Sequence, residues 1–180
     1  MHRKIFRDRK SIRKPGHNYS GSCVYFITVC VDFYMECFGS VQNDAMNKNE
    51  YGKIIKQQWL WIAKQYPYVS LDAFVIMPNH FHGIIAIDNP NENNYEPDMH
   101  SHTHVSNMRV APLTEIIGAF KSTSSKFIHH AGFIDFKWQR SFYDHIIRDI
   151  GEFAFIRDYI KNNPINWEYD PENTRMQNRK

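Results

Sequence analysis

Eight consecutive residues, Val24-Tyr25-Phe26-Ile27-Thr28-Val29-Cys30-Val31, carry no charge, and all but Cys30 are β-branched or aromatic. Side chains of this kind pack well on a pleated surface, so the segment reads as a well-buried strand, opened by the Gly21-Ser22 turn signal. Val69 to Met77 and His80 to Ile87 have similar composition and flank Pro78-Asn79. A proline that cannot donate to a sheet ladder belongs in the turn between them, which predicts an antiparallel hairpin.

Helical spacing governs the rest. Ile55, Trp59, Ile62 and Tyr66 share one face of a segment from Tyr51 to Tyr66, with Lys53, Lys56, Gln57 and Lys64 elsewhere and Pro67 closing it. Thr114 reads as the N-cap of a second helix carrying Ile116, Ile117, Phe120, Phe127 and Ile128. A β-like stretch from Phe136 to Ile147 follows, then a last helix from about Gly151 that Pro164 must end. The order strand, helix, strand, strand, helix, strand, helix predicts an α+β chain of ferredoxin-like, split βαβ plan. Its four-stranded antiparallel sheet would have helices on one face and an added C-terminal helix.

The 180 residues, 42% hydrophobic and 15% aromatic, suffice for one core. We expect a basic N-terminal arm over 1–20, a single domain over 21–170 and a tail over 171–180. The net charge of +3 is unevenly spread, because Arg3, Lys4, Arg7, Arg9, Lys10, Arg13 and Lys14 crowd the start against one acid, Asp8. Such an arm suits a phosphate backbone, and a solvated tail is the plainer alternative. No run nears the roughly 18 apolar residues of a membrane span, so we expect no membrane partner and a cytoplasmic location. Cys23, Cys30 and Cys37 are seven apart, which is neither a CxxC pair nor an even disulfide set, and read as reduced and structural. Asp88 to Pro112, rich in Asn, Pro, His and Ser, reads as a mobile loop.

Two residues apart on a strand, His80 and His82 project from one face while Phe81 points to the other, so two imidazoles come from one rigid element. Ordinary polar positions on a half-exposed sheet would give the same pattern. On the last helix Tyr159 and Asn163 are four apart and lie one above the other, beside the apolar stripe Phe153, Ile156, Ile160. Asn163 could donate an amide oxygen to a metal or simply cap the helix before Pro164. Spacing alone does not single out Tyr159 among ten tyrosines.

Taken together, Lys10-Ser11-Ile12-Arg13, Met77-Pro78-Asn79-His80-Phe81-His82-Gly83, Trp138-Gln139-Arg140 through His145 to Arg148, and Tyr159-Ile160 followed by Asn162-Asn163-Pro164 resemble the REP-associated tyrosine transposases. These are a branch of the single-tyrosine HUH transposases, related to those of insertion-sequence-200-like elements. The resemblance runs in order from about residue 10 to about residue 170. It implies an enzyme that cuts and rejoins single-stranded or hairpin DNA through a 5′-phosphotyrosine, with a divalent metal, Mg2+ or Mn2+. By motif, Tyr159 matches the nucleophile, His80 and His82 the metal-binding histidines, and Asn163 the third metal-binding side chain, where many relatives in the wider group carry Gln. Arg9, Lys10, Arg13, Lys14, Lys121 and Arg140 are the candidate DNA contacts.

Tyr143, beside Asp144 and His145, is a competing nucleophile that lacks a partner four residues on. His100, His102 and His104 form a second histidine cluster, in the long polar loop. Two other functions fit the same residues: a domesticated nucleic-acid-binding protein without catalysis, and a metal-dependent hydrolase using activated water. Sequence leaves open whether the chain acts as a monomer or a homodimer, with the tyrosine in cis or in trans.

Overall fold

The computed structural model describes residues 16–92 and 108–173. The uncharged segment forms β1 (Cys23–Cys30), flanked on both sides by antiparallel partners. On one side lies β5 (His80–Ile87), which pairs in turn with β4 (Val69–Ile76) through the Pro78-Asn79 turn; on the other lies β6 (Tyr143–Ile147). The order β4-β5-β1-β6, all antiparallel, is the expected ferredoxin-like, split βαβ sheet of an α+β chain.

Because side chains alternate along each strand, the register separates two cores. Tyr25, Ile27, Phe81, Ile85 and Ile146 face α1 (Glu50–Gln65) and α2 (Leu113–His130) and pack with Trp59, Ile62, Ile117 and Phe120. Phe26, Ile84 and Ile147 face the added helix α3 (Ile150–Asn162), which contributes Ile156 and Ile160. Gly83 makes room on the first face: a Cβ there would lie 2.9 Å from the Trp59 ring and 2.8 Å from that of Phe81. Glycine therefore lets α1 press directly onto the strand that carries His80 and His82.

The structure departs from the sequence pattern in three places. A small hairpin, β2 (Gly39–Gln42) with β3 (Ala45–Lys48), stands outside the main sheet. Its Asn43 and Asp44 both have positive φ, 50° and 60°, as a two-residue turn matched to strand twist requires. Thr114 is not the cap of α2. The helix starts one residue earlier at the fully buried Leu113, behind Pro112 in extended conformation, and no side chain caps it. The stretch from Phe136 shrinks to the five residues of β6, because its early aromatics serve packing instead of a ladder. Phe136, Trp138 and Phe142 are buried in the larger core, yet only Trp138 bridges the sheet side, to Val31.

Cys23, Cys30 and Cys37 are all free thiols, and burial pushes Cys37 up to about 12. Among the described residues no helix is long and apolar enough to cross a membrane.

Candidate metal and nucleophile site

The Pro78-Asn79 turn sets the site. The Pro78 carbonyl accepts from the backbone N–H groups of Cys37 and Phe38, and the Met77 N–H donates to the His80 carbonyl at 2.8 Å. With β5 so anchored, Phe81 goes into the α1/α2 core and His80 and His82 project toward α3, their ring centroids 4.5 Å apart. Both histidines are buried, at 0% and 3% exposure.

One nitrogen of each ring is engaged away from the site. His80 Nδ1 is 2.8 Å from Asn79 Oδ1, and His82 Nδ1 is 2.8 Å from Thr28 Oγ1 on the neighbouring strand. His80 Nε2 is closed off from solvent and has no hydrogen-bond partner. His82 Nε2 lies 3.4 Å from the Tyr159 hydroxyl, a long contact.

Burial lowers His80 to about 3, opposed only in part by the Asn163 side chain beside it. Burial also lowers His82 to about 3, reinforced by His80 and opposed by Asp170 and the Ile27 carbonyl. Both imidazoles are therefore neutral at physiological pH, the form that ligates a metal.

α3 supplies two more groups. Asp149 caps its first turn by accepting the Glu152 N–H at 2.8 Å, and Glu152 in turn contacts His145 on β6 at 2.6 Å, fixing the helix start to the sheet. Ile156 and Ile160 set the rotation, which leaves Tyr159 half-buried, its ring 5.4 Å from His82 and 6.0 Å from Phe26. One turn on, Asn163 occupies the C-cap position at 2% exposure. Its Oδ1 is buried without a hydrogen-bond partner.

A carboxylate that sequence reasoning missed completes the cluster. After α3 the chain makes a 3-10 turn over Trp167–Tyr169 and returns to the histidines. Asp170 Oδ1 accepts the Glu172 N–H at 2.7 Å, while Oδ2 sits 3.9 Å from His80 Nε2. One donor atom from each of His80, His82 and Asp170 falls within 4.8 Å of the others. Donors about 2.1 Å from a common ion stand roughly 3.0 to 4.2 Å apart, so the set is compatible with a metal once its widest separation closes by roughly half an ångström or more. The unpartnered atoms of His80 and Asn163 are what such an ion would satisfy.

Tyr143 packs in the same cluster as Phe26 and Tyr159, on the face of the sheet that carries the histidines. It pairs with Thr28, which pairs with His82, so two strand spacings, about 10 Å, separate its backbone from that of His82. Lys121 on α2 donates from Nζ to the carbonyls of Gln139 and Arg140, at 2.7 and 2.9 Å, while the Arg140 residue is exposed. Arg9, Lys10, Arg13 and Lys14 lie outside the described residues, as do His100, His102 and His104.

No protein-family model matches the chain. An uncharacterized protein of Haemophilus influenzae is 37% identical over 164 residues, which is 90% of this chain and 91% of that protein. Among solved structures, a REP-associated tyrosine transposase bound to a REP hairpin superposes with a TM-score of 0.57 at 16% identity, over 88% of this chain and 76% of that one. A transposase-type protein of Deinococcus radiodurans overlaps more loosely, with a TM-score of 0.48 at 16% identity, over 83% of this chain and 97% of its own.

Proposed function

Since the chain belongs to one family with the Haemophilus influenzae protein and shares the fold of a REP-associated tyrosine transposase, we propose that it cuts and rejoins single-stranded hairpin DNA, with Tyr159 as nucleophile. The observation that carries this reading is the 3.4 Å contact between the Tyr159 hydroxyl and His82 Nε2, at the mouth of a buried donor cluster.

The tyrosine oxygen bonds to phosphorus as the bond from phosphorus to the 3′-oxygen breaks. The phenol proton is released, the departing oxygen takes up a proton as the 3′-hydroxyl, and the 5′-phosphate stays on Tyr159. One phosphodiester replaces another, so attack by a 3′-hydroxyl reverses the step and joins the strands. A divalent cation, when bound, draws negative charge from the non-bridging phosphate oxygens.

His80 and His82 hold that cation as neutral donors, Asp170 contributes the one negative charge of the set, and Asn163 contributes a neutral oxygen. Imidazoles alone do not select the ion; the two oxygens of the set, joined by phosphate oxygens of the DNA, would favour a hard cation such as Mg2+ or Mn2+. The basic arm, with Arg9, Lys10, Arg13 and Lys14, and the exposed Arg140 supply phosphate contacts, and Lys121 steadies the Arg140 segment. Both faces of the sheet are covered, one by α1 and α2 and the other by α3, which argues against an RNA-binding type of open stacking platform.

The test is incubation with hairpin-tailed single-stranded DNA and Mn2+, followed by a denaturing gel. Wild type is expected to give a covalent protein-DNA adduct and Tyr159→Phe none. Cleavage that persists in Tyr159→Phe without an adduct would instead establish a water-using hydrolase, and DNA binding with neither would establish a non-catalytic binder.

A further inference from the structure

Asn79 is fully buried. Its amide nitrogen donates to the carbonyls of Tyr34 and Glu172, at 3.2 and 2.7 Å, and its Oδ1 is 2.8 Å from His80 Nδ1. Its backbone carbonyl accepts from the Val31 N–H at 2.8 Å.

Two carbonyl oxygens have no proton to give, so the amide can be oriented only one way, with nitrogen toward them and oxygen toward His80. An amide oxygen also only accepts. The proton of the neutral His80 ring must therefore sit on Nδ1, which leaves the lone pair on Nε2. Nε2 is the atom that is buried without a hydrogen-bond partner, 3.9 Å from Asp170 Oδ2.

We propose that Asn79 is a positioning residue that holds His80 in its Nδ1–H tautomer, keeping the Nε2 lone pair aimed at the cation site. This rests on the reading of that site given above. The other tautomer would set a lone pair against the Asn79 oxygen and aim a proton at the centre of the cluster. Rotating the amide to accommodate it would break the bonds to Tyr34 and Glu172 as well. Asn79 thus joins three separate stretches of chain, the β1–β2 connection, the β4–β5 turn and the C-terminal turn, in setting the chemistry of one nitrogen.

The proposal is tested on metal-free, 15N-labelled protein near pH 7.5 by two-bond proton-nitrogen correlation, with His80→Gln identifying the His80 signals. Wild type is expected to show a protonated Nδ1 and an unprotonated Nε2. Asn79→Ala should shift the proton wholly or partly to Nε2, toward Asp170, and lower the affinity for Mn2+ alone, by calorimetry, by 10- to 100-fold. A wild-type His80 protonated at Nε2 overturns the proposal even if no variant folds. So does a folded Asn79→Ala protein with unchanged tautomer and Mn2+ affinity. Nδ1–H without any DNA adduct would leave this role standing and remove the nuclease reading, whereas Nε2–H with an adduct would do the reverse.

Discussion

The buried histidine pair should make the metal-free protein markedly acid-sensitive. Both rings titrate in the unfolded chain near 6.5 and in the folded protein near 3. Between these values the unfolded state binds more protons, so the contribution is fully present above about pH 6.5 and is lost as pH falls toward 3. At pH 5 each unfolded histidine is about 97% protonated while the folded one stays neutral, which costs about 2 kcal/mol per ring, or about 4 for the pair. That figure holds for any folded value below about 4.

Urea unfolding in EDTA at pH 7.5 and pH 5.0 would measure it, comparing wild type with His80→Gln/His82→Gln. The remaining histidines and the carboxylates are common to both proteins and cancel in the difference. Wild type is expected to lose about 4 kcal/mol more than the double variant over this interval, and His82→Gln alone should remove about half of the excess. Equal losses in wild type and double variant would mean that these rings are not held neutral by burial, and the account of them as ready, uncharged donors would fall.

Asp170→Asn keeps an oxygen for the Glu172 N–H and removes the charge of the donor set, so calorimetry should show Mn2+ affinity falling tenfold or more in a protein of near-normal stability; unchanged affinity would exclude Asp170 as a ligand. Gly83→Ala forces a methyl against the Trp59 and Phe81 rings and should cost about 1 to 3 kcal/mol in urea unfolding, with Mn2+ affinity changing less because the added group points away from the histidines. A Tyr143→Phe protein should still form the DNA adduct, since that tyrosine stands two strands from His82. Loss of the adduct there would move the nucleophile.

What the sequence made legible was local. An uncharged run marked β1 as a well-buried strand, and one-residue alternation put Phe81 and the two histidines on opposite faces. The i, i+4 relation brought Tyr159 and Asn163 to one side of α3. The β2–β3 hairpin had a readable signal in Asn43-Asp44, two residues suited to positive φ, but no hydrophobic alternation strong enough to draw attention to it. The stretch from Phe136 misled for the opposite reason. Alternating aromatics mark which side chains are buried, and a ladder needs in addition a continuous register, which breaks between Tyr143 opposite Thr28 and Trp138 opposite Val31, where five steps along this stretch face three along its partner.

The parts of the site that escaped the sequence are those whose meaning depends on distant backbone. Asp170 is an unremarkable acid in a polar turn until the chain after α3 folds back and brings it 3.9 Å from a histidine ninety positions earlier. Asn79 was visible as a turn residue, and a turn residue needs no buried partners. Only the carbonyls of Tyr34 and Glu172, supplied by the β1–β2 connection and by the C-terminal turn, fix which way its amide points. A side chain with a donor and an acceptor end is thereby turned into a directional switch for its neighbour's proton. The motif names the two imidazoles, and long-range hydrogen bonding decides which nitrogen of His80 is free to bind.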